Sequence, residues 1–277
     1  MKQTCIFIFL TLSAFCFSWA NKPEKEKRFN AEKDLLVMQF DCKTDVDDIH
    51  SAAAFKTLLS CPDFSAINYF AVAGTYGIQE GLYVPPNELF QQAFRDNWTD
   101  AHTNRPKAIV KMKNITLECL QNGGNVWIAE AGQSDFSAAL IKAIQNDAPE
   151  INTSERIHIV QHSDWNEEVT SANSLAYVKA NSNYHKIPDG NAVGNGTPGF
   201  RTPGYNDWQT KVKDTDLINL WKLAVEIGLK YNGKDGRYNN EAVASGGLDF
   251  SDLCEVCWIL GLQEMKDTDE FFNTFGR

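Results

Sequence analysis

The stretch "FDCKTDVDDIHSAAAF", Phe40 to Phe55, places Asp41, Asp45, Asp47 and Asp48 within eight positions. Carboxylates this close repel one another and are costly to desolvate, so a positive partner or open water has to keep them charged. Hard oxygen ligands at this density suit calcium, with magnesium as the alternative, and not zinc or copper. The spacing argues against an EF-hand, whose loop needs alternate acids, a central glycine and a distant glutamate; this run holds no glycine. Asp47 and Asp48 also open a predicted helix, where the dipole favours negative charge. A capped helix with a solvated acidic loop is therefore the competing reading.

Such a cluster does chemistry only if the fold brings other residues to it. From Asp34 onward, strand-like and helix-like stretches alternate. "LLVMQF", "SAINYFAVAG", "GNVWIAEAG" and "RIHIVQHS" read as strands. "DDIHSAAAFKTLLS", "PPNELFQQAFRDNWTDAH", "SDFSAALIKAIQND" (capped by Ser134 or Asp135), "DTDLINLWKLAVEIGLKYNG" and the end of "GLDFSDLCEVCWILG" read as helices. This alternation predicts an α/β fold, an open, mostly parallel sheet with helices on both faces. Ligands of such sheets bind beyond the carboxyl ends of the strands. The segments that follow the four strands are "DCKTDVDD", "GTYGIQEG", "GQSDFS" and "HSDWNE", so acidic and polar groups converge on one edge. His162 ends a strand beside Asp164 and offers a leaving-group acid, or else a hydrogen-bonded wall residue. Trp165, Phe200, Tyr205 and Trp208 are candidates to stack on a ring, with core packing as the alternative. Asn191 and Asn195 lie in the Gly- and Pro-rich stretch "HKIPDGNAVGNGTPGFRTPGYNDW" and are candidate hydroxyl binders in a long loop.

The rest of the composition sets bounds. "MKQTCIFIFLTLSAFCFSWA", residues 1–20, has the charge pattern, short apolar run and small closing residues of a signal peptide. Export to a periplasm or the exterior follows from it. Residues 21–33 are charged and read as a flexible leader, leaving 34–277 as a single domain. Lys2 is the only charge in the first twenty residues, so the net charge of −10 becomes about −11 without them. An acidic surface argues against nucleic acid and anionic membranes as partners and fits a small-molecule protein. Self-association into a homo-oligomer stays open. Five cysteines follow the leader, too few for a disulfide scaffold. Cys254 and Cys257 form a CxxC on a predicted helix, but no second cluster completes a zinc site, and they read as structural.

The order of these motifs resembles that of the nucleoside hydrolases. "FDCKTDVDDIHSAAAF" is similar to their amino-terminal Asp-x-Asp-x-x-x-Asp-Asp motif, with Asp41, Asp47 and Asp48 on its first, third and fourth aspartates and Lys43 in place of the second. An acid at Asp45 and a serine at Ser51 resemble an exported, nucleoside-hydrolase-like bacterial branch. "VWIAEAGQSDFSAALIKAI" resembles the next strand, turn and helix, with Gly132 matched. "SDWNEE" resembles the Glu-Phe-Asn motif, placing Asp164 and Asn166. "LDFSDLCEVCWILG" resembles the late His-Asp motif, with Asp252 matched and Ser251 in place of the histidine. The resemblance implies a calcium-dependent hydrolase of the glycosidic bond of a ribose-like sugar or nucleoside. It implies calcium on Asp41, Asp48, the carbonyl of Asp135 and Asp252, with Asp47 taking the proton of the attacking water. It also implies Asp164 and Asn166 on the substrate; Asn191 as a hydroxyl binder and His162 as the acid in place of the missing histidine are candidates from their own positions. Lys43 and Ser251 depart from the pattern and keep a non-catalytic sugar- or nucleoside-binding protein as the alternative.

Overall fold

In a computed structural model, residues 28–192 and 194–276 are described. Their strands are β1 (Leu35–Phe40), β2 (Asn68–Ala73), β3 (Trp98–Asp100), β4 (Val126–Ala131), β5 (Ile157–Gln161), β6 (Asn183–Lys186), β7 (Arg201–Thr202) and β8 (Leu248–Asp249). The helices are α1 (Asp47–Leu59), α2 (Asn87–Phe94), α3 (Arg105–Gln121), α4 (Asp135–Asp147), α5 (Thr153–Arg156), α6 (Asp164–Glu168), α7 (Ala172–Asn181), α8 (Trp208–Lys211), α9 (Thr215–Tyr231), α10 (Glu241–Ala244), α11 (Cys254–Ile259) and α12 (Thr268–Phe275). A short 3-10 turn, Ser251–Leu253, leads into α11.

Six strands form one parallel sheet in the order β3-β2-β1-β4-β5-β6, a Rossmann-like layout that bears out the expected fold class. Every residue of β1 is buried, as a central strand covered on both faces requires. Its alternate side chains feed two cores. Leu36, Met38 and Phe40 join the cluster that includes α1, α2, α9 and α12; Leu35 and Val37 join the cluster under α3, α4 and α7. The chain order reverses between β1 and β4, whose carboxyl ends therefore diverge into a crevice.

Several details differ from the sequence reading, the unanticipated helices α7 and α12 among them. The helix expected through His102 stops at Phe94, where Arg95 takes φ 53°, and Trp98–Asp100 then pairs with β2. The Asp96-Asn97 turn and the strand-forming Trp-Thr pair favour that break. Helix α3 was not anticipated, although Asn104 caps it through Lys107 N and Pro106 sits in its first turn. Strand β6 was missed as well. Ser134 precedes α4 without capping it, because its hydroxyl donates to Glu130 Oε2 instead.

The expected signal peptide and residues 21–27 of the leader lie outside the described residues. Two of its residues are packed: Phe29 is buried in the first core, and the Arg28 guanidinium lies 4.0 Å above the Trp258 ring. No described helix is long and apolar enough to cross a membrane. Cys42, Cys61, Cys119, Cys254 and Cys257 form no disulfide.

Candidate functional site

A cleft of about 380 Å³ opens at the carboxyl ends of β1, β4 and β5, where the strand order reverses. Its floor is acidic. Asp41 ends β1, Asp47 and Asp48 open α1, and Asp252 arrives from the turn before α11, two hundred positions away in sequence. One oxygen each of Asp47, Asp48 and Asp252 lies within 4.8 Å of the other two. Asp48 Oδ2 accepts from Cys42 N at 2.8 Å, while Asp48 Oδ1 is buried without a partner. Asp47 is the least buried of the three, and the Asp252 carboxylate has no hydrogen-bond donor among the described residues, only the His162 charge nearby. Burial, then the neighbouring carboxylates, push Asp47 and Asp48 well above the usual range; burial does the same at Asp252, where His162 only partly offsets it. Such a set fits a hard divalent cation, which would supply the missing counter-charge and a partner for Asp48 Oδ1.

Asp41 lies beside this group with its carboxylate already engaged. Oδ1 accepts from Lys43 N at 2.8 Å, and Oδ2 accepts from Gln79 Nε2 at 2.9 Å and Gln133 Nε2 at 2.8 Å. Burial outweighs these bonds and raises its pKa to about 6. Of the expected side-chain ligands, Asp48 and Asp252 belong to the three-carboxylate group, which Asp47 completes, while Asp41 lies beside it. The Lys43 ammonium does not pair with Asp41 or Asp45. Its Nζ donates to Gln79 O at 2.7 Å and sits 4.4 Å from the Tyr76 ring centroid, leaving the acidic floor open. Asp45 also lines the cleft; Asn240 Nδ2 lies 3.2 Å from its Oδ1.

The opposite wall is built by β5 and α11. His162 is buried, and its Nδ1 lies 2.6 Å from Glu255 Oε1. Burial alone would strip the ring's charge, but the Glu255 charge and hydrogen bond, with Asp252 and Asp189, raise the pKa to about 9. Asn166 holds the His162 carbonyl through Nδ2 at 3.2 Å. Asn191 lines the cleft, donating to Asp189 and accepting from Ser251 Oγ at 3.1 Å. Two non-glycine residues with positive φ directly follow cleft residues: Cys42 at 53° and Ser163 at 67°. Strained backbone of this kind concentrates at functional sites.

Several expected residues are elsewhere. Asp164 points away, its side chain 94 % exposed and paired with Lys186 at 3.1 Å, because Ser163 turns the chain outward before α6. Asp135, expected to offer its carbonyl, is not among the residues that line the cleft, and its carboxylate accepts from Ser171 N at 3.1 Å and from Ser171 Oγ. Ala131 and Gly132 line the wall from that segment instead. Phe200 and Trp208 are core residues, Tyr205 stacks on Phe272, and Asn195 is an exposed loop residue. Trp165, 49 % exposed at the rim, is the one expected ring that lines the cleft.

Residues not anticipated include Gln79 and Gln133 around Asp41, Glu255 behind His162, and Arg201 and Tyr238 at the rim. Glu255 had a visible signal, since it lies three positions after Asp252 on a predicted helix and so shares its side. The glutamines lie in loops and Arg201 in the two-residue strand β7, and neither setting leaves a periodic signal.

Two other features compete. A larger groove of about 830 Å³ lies between α1, α2 and α9, lined by Lys56, Arg95, Asp214 and Leu217 among others. Among the described residues it gathers no group of metal-ligating side chains, and it lies off the switch point. His162 Nδ1, Cys254 Sγ and the Glu255 carboxylate are also close enough to share an ion. The 2.6 Å between Nδ1 and Oε1 is a charged hydrogen bond, shorter than the roughly 3.3 Å between tetrahedral ligands bound at ~2.0 Å. No family model matches this chain, and neither curated proteins nor solved structures give a match.

Proposed function

We propose that the protein is a metal-dependent hydrolase that cleaves the glycosidic bond of a ribose-like sugar. The observation that carries this reading is the convergence of Asp47, Asp48 and Asp252, with Asp48 Oδ1 buried and unpartnered, across the cleft from His162. Its support from the sequence is the resemblance to nucleoside hydrolases, and with it the expectation of an exported enzyme. Asp47, Asp48 and Asp252 would hold calcium, which supplies positive charge for sugar hydroxyls and makes a nearby water more acidic.

The chain's own residues divide the remaining work. Asp47, the most accessible of the three carboxylates, takes the proton of the attacking water. Asp41 and Asp189 add negative field that favours the cation-like sugar of glycosidic cleavage. Asn191 and Arg201 offer donors to hydroxyls, and His162 gives a proton to the departing group.

Calcium titration with thermal unfolding, paired with sugar release from a panel of nucleosides and simple ribosides, tests the proposal. Saturating calcium should raise Tm by several degrees, since a ligand at about 100 Kd adds roughly 2.7 kcal/mol. Asp252→Ala should abolish that rise. A calcium shift without sugar release would point to the non-catalytic binding protein; neither response would sink the site itself.

A further inference from the structure

We propose that Glu255 is a positioning residue that fixes the His162 imidazole with its Nε2–H toward the cleft, so that His162 protonates the leaving group. The inference rests on the hydrolase reading and adds to it a residue to which the resemblance gives no role.

The contacts are specific to that task. Glu255 Oε1 lies 2.6 Å from His162 Nδ1 and 3.3 Å from His162 N, gripping both ring and backbone. Asn166 Nδ2 holds the His162 carbonyl at 3.2 Å from the other side. A carboxylate only accepts, so the Nδ1 facing it carries a proton. Nε2 makes no hydrogen bond among the described residues, and His162 lines the cleft. Cys254 Sγ, 3.2 Å from Nδ1 and 3.3 Å from Glu255 Oε2, fills the space behind the pair. Asp252 and Glu255 are one helical turn apart. The same short segment thus sends one carboxylate to the floor and the other to the back of the histidine. A buried ion pair that served stability alone would be weakly favourable at best, and a hydrophobic pair often does as well. Here its cationic member forms a wall of the site.

The step balances. The bond from the anomeric carbon to the leaving atom breaks, its electron pair goes to that atom, and Nε2 gives that atom its proton. Water oxygen bonds to the anomeric carbon and its proton passes to Asp47. The net change is addition of water across the bond, and exchange with solvent returns Asp47 and His162 to their starting forms. Throughout, Nδ1–H stays on Glu255, which prevents the ring from turning or adopting the wrong tautomer.

Ribosides with leaving groups of graded basicity separate this role from a structural one. On a poor leaving group, Glu255→Gln should lower kcat by roughly 10² or more, the scale of a lost general acid. On p-nitrophenyl riboside, whose leaving group needs no proton, the loss should stay within about fivefold. His162→Gln should show the same pattern, and the double variant should be no worse than His162→Gln alone. An equal loss on every substrate would overturn the positioning role while leaving the hydrolase intact. Absence of turnover by the unaltered protein would overturn both. Should Glu255→Gln fail to fold, the unaltered protein still decides. Long-range proton–nitrogen spectra of His162 should show Nδ1 protonated between pH 6 and 9, and a bare Nδ1 would overturn the inference.

Discussion

At the scale of single residues, the sharpest question is how two adjacent aspartates divide their work. Asp48 turns inward, bonded to Cys42 N and otherwise unpartnered, while Asp47 is more accessible and its Oδ1 accepts from Asp48 N at 3.0 Å. Asp47→Asn keeps an oxygen for a cation and for that backbone bond but cannot accept a proton at neutral pH. Turnover should fall by roughly 10². The calcium-induced rise in Tm should survive in large part, unlike in Asp252→Ala. Steady-state rates and calcium titration on the same preparation check both arms, and unchanged turnover would leave Asp47 a ligand or helix cap only. The acidic floor was legible in the sequence because Asp41, Asp47 and Asp48 are crowded within one short run and Asp252 sits in a matching late motif. The exposed Asp164 was misread because one residue, Ser163 at φ 67°, redirects the chain, and nothing in "HSDWNE" announces that turn.

At the scale of elements, the site depends on how closely the end of β4 approaches the end of β1. Gly132, with φ +132°, makes that approach possible: a Cβ there would meet Asp41 Cβ at 2.6 Å. The backbone carbonyl of Gly132 also accepts from Gln161 Nε2 at 2.7 Å, so the turn is fixed from the β5 side and has little room to yield. Gly132→Ala should therefore cost about 1–3 kcal/mol from backbone strain, with the clash against Asp41 in addition. It should also blunt the calcium response, because Asp41 and its neighbours on the floor are displaced together. Chemical denaturation with and without calcium measures the two effects; a fully stable variant with an undiminished calcium shift would show that the approach is looser than drawn. The central strands and α1, α4 and α9 were readable because their apolar content is continuous or periodic over six residues or more. Strands β3 and β6 are three and four residues long, and at that length periodicity carries no signal. Helix α3 mixes Ile, Val and Thr with lysines and presents only five buried residues in seventeen, so its face is faint.

At the scale of the whole molecule, a buried polar row runs across the interior of the sheet and ties the two halves around the switch point. Gln39 of β1 stands in register with Glu130 of β4, and Gln39 Nε2 donates to Ser137 Oγ of α4 at 3.0 Å. Glu130 Oε2 accepts from Ser134 Oγ at 2.6 Å and from Gln161 Nε2 of β5 at 2.9 Å, and the Tyr184 hydroxyl of β6 lies 2.6 Å from Gln161 Oε1. Glu130 is fully buried, and its Oε1 has no partner. Burial raises its pKa from 4.5 to about 7, despite hydrogen bonds from Ser134 and Ser137 that act the other way. Between those values the folded protein holds a proton that the unfolded chain has lost. The group's contribution is therefore fully present below pH 4.5 and is lost as the pH rises to about 7. The loss amounts to about 3 kcal/mol by pH 8, at roughly 1.4 kcal/mol per pKa unit. Glu130→Gln keeps an oxygen for Ser134 and Gln161 but has no proton to lose. Urea unfolding of both proteins at pH 5 and pH 8, without calcium, should show the original losing about 2–3 kcal/mol more than the variant across that interval. The cleft carboxylates change stability in the same direction and remain in both proteins, so the difference isolates Glu130. Equal pH dependence in the two would mean that Glu130 is ionised in the folded protein at neutral pH, with its charge met by the polar row.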